Sequence, residues 1–264
     1  MTNIFIKKFY DDVKDATWPN IDDYEDIINL PPSIKQELDE LHNFKNRKNE
    51  ITSTEYWADI AYGGCFTNNQ DCFFLTILKC GYQFWYKNLV DNNGWNKASL
   101  SQITPNSTVI ATCIDPLVRH KKGIAEFFYL YFYENNFSLN EIDRILDAVL
   151  DPLLIPDVHS LPYNIILRNY LNRAIWIPFD KLDVKTTNDI VTSILQKEKH
   201  YKFKKKLTNF KIHESSPEKL YIYQKINDKF NKKPEGIYQI YNLLADDLKF
   251  YYNLLDNFSV NDYI

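Results

Sequence analysis

Glycine is scarce in this sequence, with six residues in 264 against the roughly 7% usual in proteins. That scarcity excludes Gly-rich linkers and dense arrays of tight β-turns, and it makes each glycine worth a backbone explanation. The phosphate-loop pattern G-x-x-x-x-G-K-[ST] is absent, which weakens the magnesium-dependent nucleotide kinase reading. No apolar run reaches the roughly 18–20 residues that cross a bilayer, so no membrane partner is expected. The first residues, Met1-Thr2-Asn3-Ile4-Phe5-Ile6-Lys7-Lys8, lack the apolar core and cleavage site of a signal peptide, and a cytoplasmic protein is expected. The four cysteines, Cys65, Cys72, Cys80 and Cys113, form no C-x-x-C pair. They read as reduced thiols, and no metal is expected. A net charge of −4 gives no electrostatic case for nucleic-acid binding over the whole surface.

What is abundant is aromatic: 19 Tyr and 17 Phe, so the core is expected to rest on rings as much as on aliphatic chains. Residues 1–55 contain no glycine, are strongly charged, and are interrupted at Trp18-Pro19 and at Leu30-Pro31-Pro32. They read as a helical N-terminal arm packed on a main domain of residues 56–264. The pattern changes near residue 72. Cys72-Phe73-Phe74-Leu75-Thr76-Ile77-Leu78 is continuously apolar, as in a central parallel strand covered on both faces. Thr108–Ile114 is a second such strand, rich in β-branched residues, and Ala174–Pro178 a short third. A helix is expected from Gly81 to Asp91, closed by Asn93-Gly94. Another is expected from about Arg119, with Ile124, Phe127, Phe128 and Tyr131 on one face. Ser138 with Glu141 forms a capping box, Ser216-Pro217 opens a helix, and a last helix is expected from about Glu235. Buried strands alternating with helices predict an α/β fold with a mainly parallel central sheet.

Two stretches carry the chemistry. Lys79-Cys80-Gly81-Tyr82-Gln83-Phe84 follows the first strand and opens a helix. Ligands of open parallel sheets gather beyond the carboxyl ends of strands, where free N–H groups and the helix dipole favour an anion. Gly81 admits close backbone approach, and Lys79 adds a mobile cation. Cys113-Ile114-Asp115-Pro116-Leu117-Val118-Arg119-His120-Lys121-Lys122-Gly123 repeats the arrangement after the second strand, with cations near the helix start where they oppose the dipole unless an anion is near. Each stretch alone also reads as an ordinary strand-to-helix turn; together they favour a bound polyanion. A third basic stretch, Lys197–Lys206, alternates Tyr201 and Phe203 with lysines. It reads as an edge strand guarded by charge, or as a rim attracting a sulfated or phosphorylated acceptor or the 3′-phosphate of a nucleotide donor.

The two turns resemble the donor-binding segments of sulfotransferases. Lys79–Phe84 stands where that family carries its 5′-phosphosulfate loop, and Ile114–Gly123 is similar to its 3′-phosphate segment. Asp157-Val158-His159-Ser160-Leu161-Pro162 resembles a His-x-x-Pro region of the carbohydrate branch. Glu214–Leu220 and Asp247-Leu248-Lys249-Phe250-Tyr251 resemble that branch's C-terminal tail. The wording Arg119–Phe127 is also similar to sulfotransferase-like proteins of tailed phages of marine bacteria. The resemblance spans about residues 72–255 and implies a P-loop-like three-layer fold and transfer of a sulfuryl group from 3′-phosphoadenylyl sulfate to a hydroxyl acceptor, with carbohydrate the acceptor class. It implies donor contacts from Lys79, Cys80, Gly81, Tyr82, Gln83, Phe84, Arg119 and Lys122. Catalysis would fall to Lys79, to His159 as first choice of base and to Glu126 in reserve, without metal. His159 also reads as a structural loop histidine, and Glu126 as a solvent-facing carboxylate. The sequence departs from the family at Cys80 (for Ser), at Tyr82 and Gln83 (for a Thr pair), at Ile114 (for Arg) and at Lys122 (for Ser). Those departures keep a second expectation open: a non-catalytic or virion-associated binding protein with a degenerate donor site. The sequence leaves self-association open as well.

Overall fold

In the computed structural model the described residues are 64–68, 71–134, 138–140, 142–143, 146, 159–160, 162–163, 170–199, 203–208, 216–232, 241 and 244–264. The expected N-terminal arm and Glu141 of the capping box lie outside them. The chain groups into two units, one of residues 58–119, 162–214 and 246–264, the other of residues 1–57, 120–161 and 215–245.

The first unit holds a mixed five-stranded sheet: β1 (Gly64–Thr67), β2 (Cys72–Thr76), β3 (Asn96–Lys97), β4 (Thr108–Cys113) and β5 (Ile175–Pro178), in the order β3-β1-β2-β4-β5. The three strands expected from sequence are the parallel trio β2, β4 and β5. Every residue of β2 is buried, which is why it lacks the alternation of a half-exposed strand. Sequence patterning misses β1 and β3, which pair antiparallel on the outer edge. They are four and two residues long, too short for periodicity to register.

Register puts Cys72, Phe74 and Thr76 on the same sheet face as Ile110, Thr112, Ile175 and Ile177. That face carries the aromatic core: Phe66, Phe74, Phe84, Trp85 and Trp95 with Ile110, Ile177, Ile190, Val191, Ile194 and Leu195. Two helices cover it. Tyr82–Trp85 is a single α-helical turn, α1, that continues as π-helix over Tyr86–Asp91; Gly94 ends the segment at φ 72°, in the left-handed region that favours glycine. The other is α3 (Val184–Lys199). No expectation from sequence covered α3, although Asp183 caps it through Thr186 N (2.7 Å) and its apolar pairs recur at helical spacing. On the opposite face, Trp176 meets Phe250 of α5 (Ala245–Asn257) edge-on at 4.9 Å.

Between them in sequence, α2 (Pro116–Glu134) begins at Pro116, three residues earlier than expected. The second unit takes α2 from His120 onward and α4 (Pro217–Lys232). Ser216 caps α4 through Lys219 N (3.2 Å). The last described helix is α5 (Ala245–Asn257); the start expected at Glu235 lies outside the described residues, and Tyr241 is helical. Among the described residues, no helix is long and apolar enough to cross a membrane.

Candidate functional site

β2, β4 and β5 run parallel, so their carboxyl ends share one edge of the sheet, the edge where open sheets place ligands. The first turn, after β2, is tight. Cys80 N donates to Ile77 O at 2.9 Å, and both Lys79 (φ 70°) and Gly81 (φ 88°) are left-handed. For lysine that conformation costs on the order of 1 kcal/mol, so the turn holds Lys79 against its own preference. At Gly81 a Cβ would stand 2.6 Å from the Phe179 ring; the glycine is required by both conformation and space. Gly81 precedes α1 with no side chain capping the helix start. Gln83 is exposed, Lys79 and Tyr82 are half-buried, and Cys80 and Phe84 point into the protein.

After β4 the chain behaves differently. Asp115 Oδ1 accepts hydrogen bonds from Leu117 N (2.8 Å) and Val118 N (3.2 Å), with Pro116 in the first helical position. This is the Asx cap with proline that stabilises helix starts, and it fills the α2 N-terminus with the chain's own carboxylate. Arg119 turns inward and is 2% exposed. Its Nε donates to Leu78 O at 3.0 Å, and its guanidinium stacks 4.9 Å from the Tyr163 ring centre. The structure therefore brings Arg119 to the Lys79 turn as a brace on its backbone.

Tyr163 ties the two turns together. Its hydroxyl donates to Ile114 O (2.9 Å), accepts from Ile114 N (3.1 Å) and lies 3.2 Å from Cys80 Sγ; with the hydroxyl proton used on Ile114 O, the thiol is the donor. Thr112 Oγ1 adds a bond to Cys80 O (3.3 Å). Burial pushes the Cys80 thiol above its ordinary value, and Arg119, Tyr163 and the backbone at Ile114 only partly offset this. Burial likewise pushes Tyr163 well above the usual tyrosine value. Cys80 is thus a protonated packing residue, and all four cysteines are free, buried thiols. The β5 end joins through Asp180, whose carboxylate accepts from Asp115 N (3.2 Å) and from Tyr251 Oη (2.8 Å). Burial, then the bond to Asp180, raises Tyr251 far above its ordinary value.

Sequence reasoning missed Tyr163 and Asp180, which belong to no motif. The C-terminal stretch Asp247–Tyr251 stands out in sequence, and two of its residues serve this edge: Asp247 accepts from Tyr163 N and Tyr251 holds Asp180. No family model, curated protein or solved structure matches this chain.

The remaining expected site residues fall in the second unit. Gly123 lets the backbone of His159 press against α2, since a Cβ there would lie 2.4 Å from His159 O. One turn earlier, buried His120 reaches Ser160 O through Nδ1 at 3.2 Å. His159 is half-buried and Lys122 exposed. Glu126 does not face solvent freely; it pairs with Lys219, whose ammonium lies 5.4 Å from the Tyr129 ring. Lys121 donates to Asn227 Oδ1 at 2.8 Å. Among the described residues no three His, Cys, Asp or Glu side chains come together as metal ligands.

Proposed function

We propose that this is a sulfotransferase-like protein of P-loop-like architecture, in which the turn after β2 receives the 5′-phosphosulfate end of 3′-phosphoadenylyl sulfate for transfer to a hydroxyl, with carbohydrate the acceptor class. The observation that carries the reading is the Lys79–Gly81 turn: two left-handed residues at the end of a buried parallel strand, opening a helix whose start no side chain caps. Such a start offers N–H groups and positive potential to an anion. In the transfer the acceptor oxygen bonds to sulfur as the bond to the phosphate oxygen breaks. Lys79 stabilises the charge on that departing oxygen. The resemblance names His159 as first choice for the acceptor's proton and Glu126 in reserve; both belong to the other unit, and Glu126 is already engaged by Lys219.

A specific observation favours the second reading, a binding or virion-associated protein with a degenerate donor site. The residues that match the family's 3′-phosphate segment do not fit a phosphate, since Asp115 caps α2 and Arg119 is buried against Leu78. Calorimetric titration without magnesium separates the two, using adenosine 3′,5′-bisphosphate and AMP on the native protein and on Lys79→Ala. The transfer reading expects micromolar bisphosphate binding, about −8 kcal/mol, weakened by about 1.5–3 kcal/mol in the variant. No heat and no thermal shift at millimolar nucleotide removes it and leaves the second.

A further inference from the structure

We propose that Phe203–Thr208 is a preformed strip that docks a sulfated polysaccharide through Lys204, Lys205 and Lys206. Residues 200–202 of the expected edge strand lie outside the described residues; Lys197–Lys199 close α3, residues 203–208 are irregular, and among the described strands the sheet ends at β3 and β5. Asparagine side chains meet its backbone where a neighbouring strand would otherwise do so. Asn88 accepts from Thr208 N (2.9 Å) and donates to Thr208 O (3.2 Å). Asn93 accepts from Lys205 N (2.9 Å) and donates to Lys205 O (3.1 Å). Asn188 of α3 accepts from Leu207 N (3.0 Å).

All three asparagines are buried, and Phe203 and Leu207 anchor the strip in the aromatic core. The three buried amides and two apolar anchors fix the backbone, so the lysines are presented from a preformed segment. Between those anchors the three lysines are exposed, and none forms an ion pair with a described residue. Gly94 leaves the space beside the Lys204 ammonium, 3.5 Å from where a Cβ would stand. Three adjacent ammonium groups repel one another, and a polyanion removes that repulsion.

The class of polyanion follows from what surrounds the strip. Single-stranded nucleic acid is held by aromatic platforms as well as charge, and none of the exposed large apolar side chains among the described residues belongs to this strip. A long, stiff duplex would also meet the rest of a surface whose net charge is −4. A flexible sulfated glycan needs no stacking and confines its charge to the strip. This inference does not depend on the proposed transfer chemistry and survives its failure.

The test is binding to immobilised heparin across a salt series, for the native chain and two triple variants. One carries Lys204→Ser, Lys205→Ser and Lys206→Ser; the other removes the same charge from exposed lysines elsewhere, Lys185→Ser, Lys232→Ser and Lys249→Ser. The expected result is at least a tenfold loss in the strip variant and less than twofold in the other. The slope of log affinity against log salt should fall by about 2–3 in the strip variant, near one for each lysine removed. Oligothymidylate and duplex DNA should compete poorly at equal charge. Equal losses in both variants, no heparin binding by the native chain at low salt, or displacement of heparin by either nucleic acid would overturn the proposal.

Discussion

The turns after β2 and β4 leave neighbouring parallel strands at the same edge of one sheet, and both lead into helices. Their sequences look alike, each placing cations and a glycine around a helix start. The turn after β2 holds Lys79 and Gly81 left-handed and leaves α1 without a side-chain cap. The turn after β4 places Asp115 over the first N–H groups of α2 and sends Arg119 back to Leu78 O. A helix start has one set of free donors, and a carboxylate two bonds from the backbone fills it as an external phosphate would. The comparison teaches that a basic helix start is an anion site only when the residue at the cap position does not already supply the anion.

The strongest way to break the comparison is Arg119→Met. It removes the donor from half-buried Leu78 O and the cation from the Tyr163 ring, both inside the first unit. A stranded carbonyl and the missing cation–π interaction predict destabilisation of about 2–4 kcal/mol, read from the urea midpoint. A loss near zero would mean that in solution Arg119 faces outward, where it could serve a phosphate after all.

A smaller effect is expected from Asp115→Ala. Loss of the cap should cost about 1 kcal/mol, while Asp115→Asn, which keeps an acceptor, should cost less. Freeing Leu117 N and Val118 N should also raise preference for adenosine 3′,5′-bisphosphate over AMP roughly two- to fivefold. An unchanged preference would show that the closed turn has no anion site beneath its cap, and would strengthen the non-catalytic reading.

Much of this edge is legible in sequence. Continuous apolar runs locate β2, β4 and β5, and the scarcity of glycine singles out Gly81, whose positive φ and contact with Phe179 explain it. Asp115-Pro116 has the residue types of a cap and a first helical position, yet the helix is expected only from about Arg119, because the cations there draw the reading toward an external anion. Orientation is not legible: nothing in the spacing of Arg119 says that its guanidinium stacks on Tyr163, 44 positions away in the chain. The π-helical stretch is hidden for a similar reason, since its apolar spacing resembles that of an α-helix. Glu126 shows the same limit, its partner Lys219 lying on a helix that local patterning cannot bring near.

The smallest expected effect compares one thiol from each turn. Cys80 follows β2 and Cys113 ends β4. Burial raises both above the ordinary value of 9.0, but Arg119 opposes the rise at Cys80, whereas at Cys113 the neighbouring Cys80 and Asp180 add to it. A raised folded value means that the folded chain keeps its proton while the unfolded chain loses it. The stability this contributes is intact below about pH 9 and is lost as pH climbs toward the folded value. Urea midpoints should therefore be flat through neutral pH and drop above pH 9, by a few tenths of a kcal/mol per thiol at first. Cys113→Ala should flatten that decline more than Cys80→Ala does, because only Cys80 sits beside a cation. The reverse order would place the stronger positive potential at the β4 turn, and the contrast between the open and the closed turn would have to be inverted.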